Sequence, residues 1–262
     1  MAAQWAQMQL KGSATAFAQT PYYDGYPTPS TAGFSGLQFS AATNLSASDN
    51  IIEMLAFPNN PDGAFRSPFY NESSTRVIHD MVYYWPHLIP ESQGAQLDFD
   101  VMFFSMSKLS GHAGSRFGWA LVQDAVFAAK MQEWIAKNSI HVSVDSSHRA
   151  FIILQHLADP SFGPTFFSTM RNAFENRWAL LEEQFFNQTT RFTQLSRRGT
   201  FYPWVRCNRP TEKDCAAVFA SVGIEVIPGT AYGAGSEYVR MEMVQYSPVF
   251  ELMLKRLSKL IQ

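Results

Sequence analysis

The sequence predicts an α/β fold: a mostly parallel sheet in a large first region, then a long helix, then a smaller α+β region. Three observations predict it. Short apolar runs ending in polar loops recur between residues 50 and 122. Helix-length amphipathic segments follow them, up to about residue 188. Beyond Gly199 the elements become short and mixed. Such an order of elements places the large region at 1–160, the connecting helix at 161–198 and the small region at 199–262.

The first twenty residues, MAAQWAQMQLKGSATAFAQT, hold no basic stretch leading into a clean apolar core, so they make a poor secretory signal. AFAQTPYYDGYP reads as the end of a strand running into an aromatic loop, as if the chain opened in mid-domain. NIIEMLA (50–56) is a short apolar run that stops at FPNNPDG, a strong turn signal. TRVIHD (75–80), FDVMFFS (99–105) and RFGWALV (116–122) repeat the pattern. Runs of this length, rich in β-branched or aromatic residues, suit strands buried on both faces.

The period then changes. DAVFAAKMQEWIAKN (124–138) reads as an amphipathic helix behind an Asp cap. VDSSHRAFIILQHLA (144–158) is a second helix, and 164–188 a long third. The remainder reads strand, helix, strand, strand, helix: TFYPWVRC, TEKDCAAVFASVG, IEVIPG, EYVRMEMV and SPVFELMLKRLSKLIQ.

Composition bounds the function classes. The 262 residues carry a formal net charge of -2; 46% are hydrophobic and 16% charged. That is enough apolar material for a large core. It leaves no basic footprint for nucleic acid and no polybasic patch for a membrane surface. No apolar stretch is long enough to span a bilayer. Aromatic residues reach 15%, which suits a deep core and an aromatic-lined ligand site. Cys207 and Cys215 flank CNRPTEKDC; two thiols so placed either close a small loop or stand free. Three glycosylation tripeptides begin at Asn44, Asn71 and Asn187.

In open α/β sheets, ligands gather at the carboxyl ends of the strands. Here those ends carry Asn60, Asp80, Tyr83, Ser105, Ser107 and Lys108, with Arg116 after a glycine turn. One ligand accounts for the set: pyridoxal phosphate. Its chemistry needs a lysine for a Schiff base, an acid facing the pyridine nitrogen, donors at the ring oxygen, and hydroxyls with an arginine for the phosphate. His79 and His112 have no metal-ligand spacing and are left out of the site.

PYYDGY, FPNNPDG, VIHDMVYYWPH, SMSKLSGHAGSRFGWALV and YVRMEMV together resemble the fold-type I aminotransferases, and within them the plant alliinase and tryptophan aminotransferase-related family. The resemblance runs from about residue 20 to 245. It implies that Lys108 forms the Schiff base and carries the proton between substrate and cofactor. Asp80 would pair with the pyridine nitrogen. Tyr83 and Asn60 would bond the ring oxygen, and Asn60 would also help hold the substrate. Ser105, Ser107 and Arg116 would clamp the phosphate. Tyr23 would stack on the ring, and Arg240 would grip the substrate α-carboxylate. It also implies a Cys207–Cys215 disulfide like the loop bridge of secreted relatives, leaning towards the alliinase-like branch.

Family members carry a longer region ahead of the part seen here, with the first strand and helix of the large domain and a glycine-containing loop. The expectation is therefore a large domain incomplete at its N-terminus, with an open sheet edge and weak cofactor binding. The residues serve two reactions: transamination of an aromatic or neutral L-amino acid with a 2-oxo acid, which is the reading adopted, and carbon–sulfur β-elimination of a cysteine sulfoxide as the alternative. An inactive truncated copy is a further alternative. A complete chain is expected to act as a homodimer. The tripeptides and cysteine pair point to the secretory route or vacuole; the missing signal peptide points to nothing, and the cytoplasm stays open.

Overall fold

The computed structural model describes every residue except 1, 32, 34–35, 47–49, 71–72, 91–96, 197–199 and 262. Two sheets organise them. The larger has six strands: β1 (Ala14–Phe17), β2 (Leu37–Ser40), β3 (Ile51–Ala56), β4 (Arg76–Asp80), β5 (Val101–Ser105) and β6 (Gly118–Val122). Their order is β2-β1-β3-β4-β5-β6. All pairs are parallel except β5 with β6. Ala56 lies opposite Asp80, and Asp80 opposite Phe103, so β3, β4 and β5 finish side by side. That register brings the site together.

One sheet face is covered by α1 (Ala2–Lys11) and α4 (Ala125–Asn138). Ala3 and Ala6 of α1 and Phe127 and Met131 of α4 meet Ala16, Ile52, Ile78 and Val101. Asp124 caps α4 by accepting from the backbone N–H groups of Val126 and Phe127, 2.9 and 3.0 Å away. Phe127 is fully buried, which stabilises this layer by roughly 1.5–3 kcal/mol. β3 is buried along its whole length although it contains Glu53. The Glu53 carboxylate accepts from Gln19 Nε2 (2.9 Å) and from the N–H groups of Phe69 (2.9 Å) and Tyr70 (3.1 Å), which offsets the cost of burying it.

α2 (Thr28–Thr31) lies between β1 and β2 in the chain, α3 (Met106–Leu109) follows β5, and α5 (Val144–Ala158) and α6 (Gly163–Gln184) lead from α4 towards the second sheet. The second sheet contains β7 (Phe192–Gln194), β8 (Trp204–Cys207), β9 (Ile227–Pro228) and β10 (Tyr238–Arg240), in the order β7-β8-β10-β9. It is antiparallel throughout. With α7 (Cys215–Ala220) and α8 (Ser247–Leu257) it encloses a core of Phe192, Val205, Phe219, Val239, Leu254 and Leu257. Phe174, Trp178 and Leu181 of α6 join that core, as do Tyr83 and Leu88 from the loop after β4. Trp178 Nε1 donates to the Thr200 carbonyl at 2.9 Å and pins the chain where it enters the second sheet. Cys207 and Cys215 are joined by a disulfide, with Cα atoms 5.7 Å apart.

Four features differ from the sequence reading. β6 is not buried on both faces: it reverses direction after the glycine turn, pairs only with β5 among the described strands, and leaves Leu121 exposed. The long helix stops at Gln184 and passes into a 3-10 turn, Phe186–Gln188. α1 has no counterpart in the sequence reading. Its buried face includes Gln4 and Gln7 beside Ala3 and Ala6, so polar residues sit where an apolar stripe would announce a helix. The three-residue β7 and four-residue β2 are too short to carry a period. Asn44 and Asn187 are exposed, and Asn71 lies outside the described residues. Among the described residues no helix is long and apolar enough to cross a membrane.

Candidate active site

A cavity of about 410 Å³ opens where β3, β4 and β5 end and the second sheet approaches them. Its lining includes Tyr23, Asn60, Asp80, Tyr83, Ser105, Ser107, Lys108, Arg116 and Arg240. The nine residues singled out from the sequence are thus brought to one place. Volume and mixed lining suit a small ligand with several charged groups.

At the floor, Asp80 ends β4. Its Oδ2 accepts from the Tyr26 hydroxyl at 3.0 Å and its Oδ1 from the Val82 N–H at 3.2 Å. Burial pushes the Asp80 carboxyl above the usual range; these two bonds and the Lys108 charge oppose the rise. The result is a desolvated acid held in one orientation, suited to a cationic ring nitrogen.

β5 runs directly into α3. Ser105 caps that short helix, its hydroxyl oxygen accepting from the Ser107 N–H at 3.1 Å. The Ser105 proton is left to donate into the cavity. Lys108 follows, half-buried, with its Nζ donating to the Tyr202 hydroxyl at 3.2 Å. Its ammonium also faces the rings of Tyr83 and Phe201, at 5.4 and 5.6 Å from their centroids. His87 hydrogen-bonds the Lys108 backbone from within a cluster of Phe166, Phe167 and Phe174; burial lowers its pKa to about 4.

Arg116 adopts the left-handed conformation (φ 49°, ψ 41°), unusual for a residue with a side chain. Its Nη1 donates to the Ala113 carbonyl at 3.1 Å, so the guanidinium folds back over the glycine turn. Gly111 has φ +76°, and a Cβ there or at Gly114 would meet nothing within 4 Å. Both glycines are exposed, and the turn is open to solvent on that side.

Opposite stands Arg240, at the end of β10. Its Nη1 donates to Asn60 Oδ1 at 3.1 Å, across 180 residues of chain, and its Nη2 to Glu242 Oε1 at 2.8 Å. Its guanidinium carbon lies 3.8 Å from the Tyr202 ring centroid. Arg240 Nε and Asn60 Nδ2 are buried donors without a protein partner. Two orphaned donors on one cavity call for an anionic ligand.

Tyr23 is 40% exposed at the mouth, its ring edge-on to Tyr26. His79 does not line the cavity. It stacks on Phe99 at 3.7 Å, and burial lowers its pKa to about 4. His112 does not line it either and pairs with Ser110 at the surface. Tyr202, Asp24, Tyr26, His87 and Glu242 belong to the site or its support and were not foreseen. Tyr26 carried a signal, its three-residue spacing from Tyr23. Tyr202 carried none, since FYPWVRC reads simply as a strand.

The residues fit pyridoxal phosphate. A lysine, a buried carboxylate and a tyrosine hydroxyl surround one space, and serine hydroxyls with an arginine close one end. The solved structures it resembles share the fold. An aspartate aminotransferase double mutant of Thermus thermophilus superposes with a TM-score of 0.77 at 17% identity, covering 100% of this chain and 73% of that one. An aminotransferase of Staphylococcus aureus gives 0.79 at 16% identity, covering 99% and 74%. The architecture is that of the fold-type I aminotransferases. Among curated proteins, the chain is 32% identical over 267 residues to a tryptophan aminotransferase-related protein 2 of Oryza sativa subsp. japonica, covering 92% of this chain and 52% of that protein. It is 31% identical over 267 residues to an alliin lyase of Allium cepa var. aggregatum, covering 93% and 57%. The chain thus spans about half the length of the curated relatives it matches. A family model described as Allinase matches residues 3–261, nearly the whole chain, and on that match the chain belongs to the alliinase family.

Proposed function

We propose that the chain binds pyridoxal phosphate and acts as a transaminase on an aromatic or neutral L-amino acid with a 2-oxo acid as partner substrate. The observation that carries this reading is the pairing of Lys108 with two unpartnered donors, Asn60 Nδ2 and Arg240 Nε, on one cavity. Bound there, pyridoxal phosphate supplies an electron sink for negative charge developing at the substrate Cα.

The chain's own residues do the rest. Ser105, Ser107 and Arg116 hold the phosphate by charge-assisted bonds. Asp80 holds a proton on the pyridine nitrogen, its carboxylate steadied by Tyr26. Asn60 donates to the ring oxygen, Tyr83 would turn its proton from the Tyr202 hydroxyl to the same oxygen, and Tyr23 covers the ring. Arg240 and Asn60 orient the substrate carboxylate, and Lys108 Nζ moves the proton at the substrate Cα. Asp24 on the lining and Glu242 beside Arg240 disfavour a second carboxylate on the substrate, which supports a neutral side chain.

Carbon–sulfur elimination from a cysteine sulfoxide is the second reading. The alliin lyase relative and the Cys207–Cys215 bridge favour it. Homodimer assembly belongs to the same proposal and is checked by sedimentation. Mixing the purified chain with pyridoxal phosphate should give a visible absorbance band that Lys108→Ala abolishes. Wild-type protein without a band would overturn the cofactor reading and leave an inactive copy. L-Tryptophan with a 2-oxo acid should yield the exchanged amino acid. Pyruvate from the sulfoxide without an acceptor would replace the transaminase by the lyase.

A further inference from the structure

Tyr202 touches both ends of the cavity. Its hydroxyl oxygen accepts from Lys108 Nζ and from the Tyr83 hydroxyl, each at 3.2 Å. The Arg240 guanidinium sits over its ring, the guanidinium carbon 3.8 Å from the centroid. The residue is 7% exposed, and it lines the cavity.

The backbone around it is fixed on both sides. Thr200 accepts from Trp178 Nε1 at 2.9 Å, and Pro203 accepts from the Met241 N–H at 2.9 Å. Tyr202 is therefore a braced platform between α6 and the second sheet. The two contacts use different parts of the side chain and answer different needs. A half-buried ammonium needs an acceptor, and the hydroxyl supplies one. A guanidinium held at its edges by Asn60 and Glu242 also has two rings over it, Tyr202 at 3.8 Å and Tyr232 at 5.2 Å; the nearer ring is the one that sets the plane.

We infer that Tyr202 is a positioning residue with two separable jobs: its hydroxyl holds the Lys108 amine, and its ring fixes the plane in which Arg240 receives a carboxylate. The inference rests on the assignment of Lys108 and Arg240 to the reacting and carboxylate-holding ends of the site. A single side chain then spaces the reacting amine from the carboxylate clamp.

The test uses the full chain without added cofactor and two substitutions. Tyr202→Phe keeps the ring and loses the hydroxyl; Tyr202→Met loses both. The first readout is the rate at which Lys108 is reductively methylated by formaldehyde and cyanoborohydride at neutral pH, followed by mass spectrometry of its peptide. The second is calorimetric affinity for phenylacetate, a plain aromatic monocarboxylate. Tyr202→Phe should label about threefold to tenfold faster, because the ammonium has lost an acceptor. Its phenylacetate affinity should stay within about twofold. Tyr202→Met should label as fast as Tyr202→Phe and bind phenylacetate about tenfold more weakly, the weight of a desolvated cation–π contact.

Unchanged labelling in Tyr202→Phe overturns the hydroxyl role. Equal affinity in Tyr202→Met and wild type, or a wild type that does not bind phenylacetate, overturns the ring role. Both readouts moving together in Tyr202→Phe would mark a merely structural residue and overturn both. Should Tyr202→Met melt early, Arg240→Lys, which keeps the charge but has no flat face for the ring, reads the same contact. The cofactor reading is judged separately by the absorbance band. A chain without a band that shows this pattern loses only that reading, and a chain with a band but without the pattern loses only this one.

Discussion

The two sides of the cavity are built by opposite means. On the large-sheet side, Asp80, Ser105, Ser107 and Lys108 are placed by local rules. Parallel strands end in register, a serine caps the turn that follows, and a backbone N–H two residues on steadies the acid. On the second-sheet side, Arg240 has one local partner, Glu242, and is otherwise placed by contacts distant in sequence. Asn60 is 180 residues away, and Tyr202 comes from the strand-bearing segment after α6. On the first side Asp80 and Ser105 find their partners within it, while Lys108 and Tyr83 reach across to Tyr202. One buried donor stays open on each side, Asn60 Nδ2 after β3 and Arg240 Nε on β10. The side that would hold a resident group is thus locally determined, and the side that would receive a transient one is assembled by the tertiary fold.

Arg240→Ala is the hardest blow to that contrast. Removing a buried, hydrogen-bonded cation costs several kcal/mol when its partners stay behind, and Asn60, Glu242 and Tyr202 all stay. Phenylacetate affinity should fall about a hundredfold or more, while the pyridoxal-phosphate absorbance band keeps its intensity. Loss of both together would show that the sides are one cooperative unit.

Breaking the disulfide probes the second side alone. The bridge ties β8 to the start of α7, and Cys207 N–H and Cys215 N–H reach the Glu237 and Ser236 carbonyls ahead of β10. Closing so short a loop contributes about 2–3 kcal/mol through the unfolded chain. The Cys207→Ser, Cys215→Ser double variant should lose that much stability. Its hydrogen exchange should quicken across residues 204–240 and stay unchanged across 76–108. Uniform quickening would erase the distinction between the two sides.

The same contrast decides what could be read from the sequence. β3, β4 and β5 were legible because buried parallel strands leave short apolar runs with polar ends, and the cavity-lining residues sit at those ends. Arg240 was legible only through the likeness of YVRMEMV to a family motif; nothing in the run of residues points it at Asn60. Tyr202 and Glu242 were invisible, since each acquires its role from a partner's position in space. β6 misled for a related reason. Its composition matches a central strand, but its direction, set by the turn at 111–115, leaves it at the sheet's edge. α1 was hidden by two buried glutamines.

The smallest expected effect tests how self-contained the large-sheet side is. Tyr26 donates to Asp80 Oδ2, and Tyr26→Phe removes that bond with little change in shape. Burial already raises the Asp80 pKa in the folded chain, and the Tyr26 bond is a force lowering it. A carboxyl whose folded pKa lies above its unfolded value binds more protons folded than unfolded in the interval between, so its cost appears as pH rises through that interval and is full above it. Losing Tyr26 widens the interval. Tyr26→Phe should therefore destabilise the chain by about 1 kcal/mol at neutral pH, and the difference from wild type should shrink as the solution is acidified through the Asp80 titration. Paired denaturant titrations of both proteins along a pH series measure it. A difference that stays constant with pH would mean that Tyr26 steadies packing and not the charge on Asp80.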